Sequence, residues 1–506
     1  MDMNRRIGVI LSYVLMIFEV LSTLLLTPFI ISTLGQAEYG VYKLAAAINS
    51  YLLLLDLGIG NAIVRYIAKY RAEKNKLQEQ RFLGVATIFY SIIAVVAIVI
   101  GLIIIKIFPT VFAQGLSYSE IKLAQKLLGI TMINSAVTLG TAAYANVLIA
   151  YEAFTASKGS SIAQIVFRML LTIIVLKLGM GSIGIVCINL LMTIVCRIFF
   201  VIYTLMKLKL KPLFQGIDID FIKEVTVYSL LILLQMIATQ INNTVDQIMI
   251  GALVIESSVI LAVYGVGTQI VSYFQSMGMA FTGVLMPGIV NLVQKNYSEK
   301  AVLNEMIRVG RIIFMVLVFI WGGFWVNGQN FVILWAGLAN KDAFYVAIIL
   351  MTAQLFVLTE IVGTQILWAL NQHREQSILK IVIVLCNIIV TALLIKWKPL
   401  IGATIGTFIS LVLGDIIVMN VIFQRKLKIN ILKYYYGILK GIIPCIIISI
   451  FSGEIVKRLM YSGWLALAVN IFVMTIVYCF GMYFRGMNEY ERGLVKSMVK
   501  RIKIIH

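Results

Sequence analysis

The chain has almost no polar stretch long enough to fold by itself. Apolar runs follow one another with only short connections, which leaves no room for a soluble catalytic domain on either side of a membrane. Histidine is nearly missing: His373, in a short turn, and His506 have no neighbouring ligand cluster. A metal site or a His-based catalytic arrangement is therefore not expected. All five cysteines (Cys187, Cys196, Cys386, Cys445, Cys479) fall in apolar runs without metal-ligand spacing and read as small packing residues. No G-x-x-x-x-G-K-[ST] loop occurs, so the chain is not expected to hydrolyse a nucleotide. The largest outer connections, Phe108–Ile121 and Asn327–Asp342, hold few ionisable groups. No catalytic residue, cofactor or enzymatic activity is expected.

What is present is hydrophobic sequence: 61% of the residues, with a mean hydropathy of +0.99. Fourteen apolar stretches stand at 7–33, 40–62, 82–107, 122–150, 159–179, 182–206, 222–251, 258–290, 309–328, 342–370, 377–396, 400–423, 431–451 and 461–484. A helical crossing needs about 20 apolar residues. Only helices and closed barrels satisfy their backbone polar groups in lipid. These stretches are continuously apolar rather than alternating, so they predict an all-α polytopic membrane protein. The first is longer than a secretory signal and lacks a small-residue cleavage pattern, so it is expected to be retained.

A net charge of +20 would suggest nucleic acid in a soluble protein, but its placement here is topological. Alternate connections are rich in base: Arg5 and Arg6, then Arg65 to Arg81, then Lys207, Lys209, Lys211 and Lys223, and finally a tail from Arg485 to Lys503. Leu34–Tyr39 and Ala252–Ser257, between them, have no Lys or Arg. This positive-inside pattern predicts cytoplasmic termini, with anionic lipid headgroups as the partner and no nucleic acid.

The basic segment Lys207–Lys223, interrupted by Pro212 and Gly216, separates six apolar stretches from eight. Val41-Tyr42, Ile48, Ser50 and Tyr51 recur as Val263-Tyr264, Ile270, Ser272 and Tyr273 at the same spacing. Two six-helix lobes related by duplication are expected: 1–206, and 222–424 after a cytoplasmic linker at 207–221. Residues 425–506 hold two further helices and a basic tail. Such repeats commonly enclose a midplane substrate site. Pro28 and Pro287 free carbonyls and allow the first and eighth helices to bend.

Charges inside apolar stretches are costly and by default mark function. Eight of them are candidates: Glu19, Lys43, Asp56, Arg168, Arg197, Asp246, Glu360 and Asp415. Lys43 and Arg197 can equally snorkel to an interface, Asp56 can hold a turn before Gly58, and Asp415 can pair across a helix interface. Asp246 follows Asn242, Asn243 and Thr244, a polar patch that must face protein or water. The mixture of signs differs from the single-sign rings of an ion pore. Lys43, Arg168 and Arg197 suit an anionic headgroup such as a pyrophosphate. Glu19, Asp246, Glu360 and Asp415 suit uptake and release of a proton or sodium ion.

The run Leu34-Gly35 … Tyr39-Gly40-Val41-Tyr42 and the run Leu55-Asp56-Leu57-Gly58-Ile59-Gly60-Asn61-Ala62-Ile63-Val64-Arg65-Tyr66 resemble the polysaccharide-biosynthesis branch of the multidrug/oligosaccharidyl-lipid/polysaccharide (MOP) exporter superfamily. Asn242-Asn243-Thr244-Val245-Asp246-Gln247-Ile248-Met249-Ile250-Gly251 resembles the helix that opens the second lobe in those proteins. The resemblance implies a V-shaped pair of lobes around a central cavity, lined by helices 1, 2, 7 and 8, with alternating access. It also implies a bacterial or archaeal plasma membrane and an undecaprenyl-diphosphate-linked oligosaccharide as cargo, with polysaccharide polymerase machinery as a partner. Within the superfamily, a cation-coupled multidrug exporter and a lipid II-type flippase are the alternatives. The arginines of lipid II flippases do not map residue by residue onto this chain.

Overall fold

The computed structural model describes the backbone of residues 3–214, 219–295, 298–370, 374–460 and 463–505; His373, His506 and Gly216 lie outside the described residues. In chain order the helices are α1 (Met3–Leu53), α2 (Ile59–Ala72), α3 (Lys76–Val111), α4 (Tyr118–Gly140), α5 (Ala142–Ala150), α6 (Phe154–Lys177) and α7 (Gly181–Ile202). They continue as α8 (Ile219–Leu253), α9 (Ser258–Lys295), α10 (Glu299–Ala336), α11 (Ala343–Thr359), α12 (Ile361–Ala369) and α13 (Arg374–Ile395). The last are α14 (Pro399–Ser410), α15 (Met419–Lys426), α16 (Ile431–Leu439), α17 (Ile442–Leu459), α18 (Trp464–Gly481) and α19 (Glu489–Ile505). No strand occurs among the described residues. The protein is an all-α polytopic membrane protein, as its uninterrupted apolar stretches predict.

Among the described residues, seven helical spans are long and apolar enough to cross a bilayer, and ten if each bent pair is one crossing: α4–α5 at 42°, α11–α12 at 45° and α16–α17 at 44°. The expected separation of the first two stretches is a difference of form. Leu34–Tyr39 is no loop, because helix continues on both sides of Gly35. That residue alone, at φ 75° and ψ 173°, leaves the helical region. Only glycine adopts this conformation without strain. The charged connection after Arg65 is likewise mostly helical. Glu73, Lys74 and Asn75 separate α2 from α3, and the Asn75 side chain accepts from Gln78 N at 3.2 Å to start α3.

The chain forms two compact units, Met1–Ala262 and Val263–His506. In the first, Ile63 and Ile67 of α2 pack with Leu83 and Tyr90 of α3 and with Ala143, Val147 and Leu148 of α5. Small residues allow close approach elsewhere in this unit: a side chain at Gly40 of α1 would collide with the Ser258 carbonyl at the start of α9. Ser257 closes the turn before α9 by donating its amide and hydroxyl to Gly115 O, at 2.8 and 2.9 Å. In the second unit, Val302, Met306, Ile313 and Leu317 of α10 are fully buried. Asn470 of α18 donates to Asn327 of α10 at 2.9 Å and to Gly453 O of α17 at 3.1 Å, joining three helices by polar contacts. The outward faces are apolar: Ile92, Val95, Val99 and Leu102 on α3, and Leu385, Ile389 and Leu393 on α13, are exposed. Apolar faces of this extent suit hydrocarbon rather than water.

Candidate substrate and ion sites

In the first unit, α1 carries Tyr39, Tyr42 and Lys43 within about one helical turn. Lys43 Nζ lies 5.5 Å from the Tyr39 ring centroid, a cation–π contact, and the Tyr39 and Tyr42 rings are 6.4 Å apart. Tyr42 hydrogen-bonds the Asn189 side chain of α7 and lies within electrostatic reach of Arg168 of α6. Two of the expected anion-binding cations, Lys43 and Arg168, are thus brought to one tyrosine-bearing segment where α1, α6 and α7 meet. Both residues are half-buried.

Arg197, the third expected cation, belongs to a different group. Its guanidinium lies 5.7 Å from the Phe200 ring centroid and within electrostatic reach of Asp56. Asp56 closes the 3-10 turn Leu54–Asp56 and accepts from Tyr90 Oη at 2.7 Å. This carboxylate holds a turn to α3, one of the two uses its position before Gly58 allowed.

The expected polar patch on α8 faces α1. Gln240 Nε2 donates to Ser50 Oγ at 2.6 Å, and Thr244 Oγ1 stands 2.9 Å from both Tyr51 Oη and the Gln240 carbonyl. Asp246 is 2% exposed and within electrostatic reach of Tyr51. Thr244 and Asp246 of this patch are turned into protein, while Asn243 is exposed. Glu19 differs from the other carboxylates because its side chain is exposed on α1.

In the second unit, Glu360 occupies the bend between α11 and α12. It is 2% exposed. Its Oε1 accepts from Asn420 Nδ2 of α15 at 2.9 Å and from Tyr435 Oη of α16. Asp415 lies within electrostatic reach of it but pairs across a helix interface with Lys380 of α13, at 3.6 Å. No cluster of three or more His, Cys, Asp or Glu side chains suited to a metal occurs among the described residues.

Several polar residues here were not legible as site candidates. Glu38 Oε1 accepts from Ser182 N at 2.6 Å, so α1 supplies the N-terminal cap of α7. Glu79, 4% exposed, accepts from Tyr151 Oη, while the Arg71 guanidinium lies 4.6 Å from the Tyr151 ring centroid. Burial, followed by the Glu79 hydrogen bond, pushes the Tyr151 phenol well above its ordinary range. Each of these partners is distant in sequence. Periodicity cannot announce such pairs, although Glu79 in the first turn of a helix is a weak local signal.

Comparison with solved structures places this architecture. A structure described as lipid II flippase MurJ in an inward closed conformation matches with a TM-score of 0.71 at 15% identity, covering 97% of this chain and 99% of that one. An inward-facing multidrug resistance MATE family transporter of the MOP superfamily matches at 0.59 and 17% identity, covering 80% and 95%. The MATE multidrug transporter DinF-BH in complex with R6G matches at 0.57 and 19%, covering 84% and 96%. These likenesses show a shared fold. No curated protein sequence matches. The family model described as polysaccharide biosynthesis protein matches residues 8–293. With more than half of its length matched, the chain belongs to the polysaccharide biosynthesis protein family, and it shares the fold of the flippase and transporters just named.

Proposed function

We propose that this protein is a flippase that moves a lipid-diphosphate-linked oligosaccharide repeat unit from the cytoplasmic to the outer leaflet of a bacterial or archaeal plasma membrane. The observation that carries the reading is the Lys43–Tyr42–Arg168 grouping, set in membrane helices of a chain from a polysaccharide-biosynthesis family. A diphosphate needs cations that remain reachable; Arg168 offers a planar fork and Lys43 a point charge. Tyrosine faces beside them suit sugar rings as well as cations. The lobes 1–206 and 222–424 alternate access around a cavity, with both termini cytoplasmic and the last two helices as an appendage. Glu19, Asp246, Glu360 and Asp415 are the carboxylates through which an ion gradient drives directional movement.

Cells lacking the protein test this reading. They should accumulate lipid-linked repeat units on the cytoplasmic side and lose surface glycan. Unchanged surface glycan with raised sensitivity to cationic dyes would instead establish a multidrug exporter, and accumulation of peptidoglycan precursor would establish a lipid II-type substrate.

A further inference from the structure

We infer that Glu360, Asn420 and Tyr435 form a binding site for one monovalent cation, H⁺ or Na⁺, at the bend between α11 and α12. The site narrows the ion coupling proposed above to one place in the fold, and rests on that reading only for its link to transport.

The α11–α12 bend interrupts the helix at Thr359 and Glu360. Tyr434 Oη donates to the Thr359 carbonyl at 3.0 Å. Glu360 itself is turned into protein, where Asn420 Nδ2 and Tyr435 Oη both donate to its Oε1, and Asn420 Nδ2 also reaches Tyr435 Oη at 3.0 Å. One oxygen is therefore well supplied with donors. The other, Oε2, is buried and accepts no hydrogen bond among the described residues, and neither does Oδ1 of Asn420. Two acceptors on a bonded pair of side chains thus lack a donor in a site closed to water. Both Glu360 and Asn420 are at least nine-tenths buried. Orphaned buried acceptors of this kind are rare and signal an occupant.

The charge around the site selects the occupant. Among the described residues Glu360 makes no ion pair, and the charged group within electrostatic reach is Asp415, whose own charge is met by Lys380. Tyr434 and Tyr435 are neutral donors already engaged. One uncompensated carboxylate in low dielectric calls for a single positive charge. A proton added to Oε2 converts the orphan acceptor into a donor and neutralises the carboxylate. A sodium ion would take carboxylate, amide and phenol oxygens, the hard ligands it prefers, beside an interrupted helix. Either occupant alters the charge that Tyr435 binds. The site thereby ties cation occupancy to the contact between the α11–α12 bend and α16.

The test uses the full chain, purified and reconstituted in lipid nanodiscs, with the wild type compared with Glu360→Gln and Tyr435→Phe. Infrared difference spectra recorded across pH should show a protonated-carboxyl band in the wild type that is lost in Glu360→Gln. Tyr435→Phe removes one donor to the carboxylate and should shift the titration of that band. Thermal unfolding in NaCl against choline chloride separates the two ions. A sodium-dependent rise in melting temperature that competes with protonation and disappears in Glu360→Gln assigns Na⁺; a band unaffected by sodium assigns H⁺. A Glu360→Gln protein that folds and keeps both the carboxyl band and the sodium response of the wild type would overturn the site. None of these readouts involves substrate, so failure here leaves the flippase reading standing, and failure of export leaves the site standing.

Discussion

Arg311 of α10 and Glu491 of α19 form a buried, two-pronged ion pair: Nε donates to Oε1 at 2.7 Å and Nη2 to Oε2 at 3.2 Å. The remaining guanidinium protons go to the Gly437 and Lys440 carbonyls, at 2.7 and 2.9 Å, and to Gly486 O at 2.9 Å. One side chain therefore fastens the α16–α17 bend and the chain entering α19 to α10. Removing one member of a buried pair costs about 3–5 kcal/mol. Arg311→Ala should lower the melting temperature sharply and reduce membrane abundance. Arg311→Lys should rescue little, because an ammonium cannot span the same carbonyls. Thermal unfolding of the two variants in detergent checks both statements.

The cation grouping on α1 and α6 makes a functional forecast. Arg168→Ala and Lys43→Ala should each reduce surface glycan strongly in a deletion strain while leaving abundance near normal. Arg168→Lys should recover only part, since it loses the planar fork. Full restoration of surface glycan by both alanine variants would remove the cationic grouping from the account.

Helix approach at Gly40 sets a packing requirement. A methyl group there meets the Ser258 carbonyl, and backbone cannot yield as a flexible side chain does. Gly40→Ala should destabilise the first unit by about 1–3 kcal/mol, the usual range for overpacking. Gly129→Ala, where a methyl group meets nothing within 4 Å, serves as the control and should be close to neutral.

The Tyr151–Glu79 hydrogen bond connects the turn after α5 to the start of α3. Tyr151→Phe leaves a buried acceptor without its donor and should cost about 1–3 kcal/mol. The pH dependence follows from the raised phenol. A group whose folded pKa lies above its unfolded value contributes fully below the unfolded one, about 10 for tyrosine. That contribution falls as pH rises through the folded value. The hold is therefore intact at neutral pH and weakens only in alkali. Stability curves of the wild type and Tyr151→Phe should converge there.

Much of this was legible in the chain. Continuous apolar stretches specify the helices, because these follow from local transfer energies. The polar run ending in Asp246 reads as a patch that faces protein or water, and Asp246 itself is buried. What escaped depends on long-range geometry. The bends at Thr141, Glu360 and Lys440 interrupt stretches that read as single runs. Gly35 replaces a whole loop by one residue, since glycine alone tolerates its backbone angles. Arg311 finds its partner on α19, far along the chain, and no local pattern announces that pair. Glu19 stands in an apolar stretch as Asp246 and Glu360 do, yet its side chain is exposed, because hydropathy cannot say which face of a helix is turned inward.

The most direct measurement of the central claim is translocation in proteoliposomes. Lipid-diphosphate-linked oligosaccharide is placed in the inner leaflet, and its appearance outside is followed with a membrane-impermeant glycan-modifying reagent, under imposed proton, sodium and electrical gradients. The account predicts that wild-type protein exposes the glycan faster than empty liposomes do, that Arg168→Ala and Lys43→Ala abolish the gain, and that one cation gradient sets its direction. Exposure no faster than in empty liposomes, with the protein folded and correctly inserted, would contradict it.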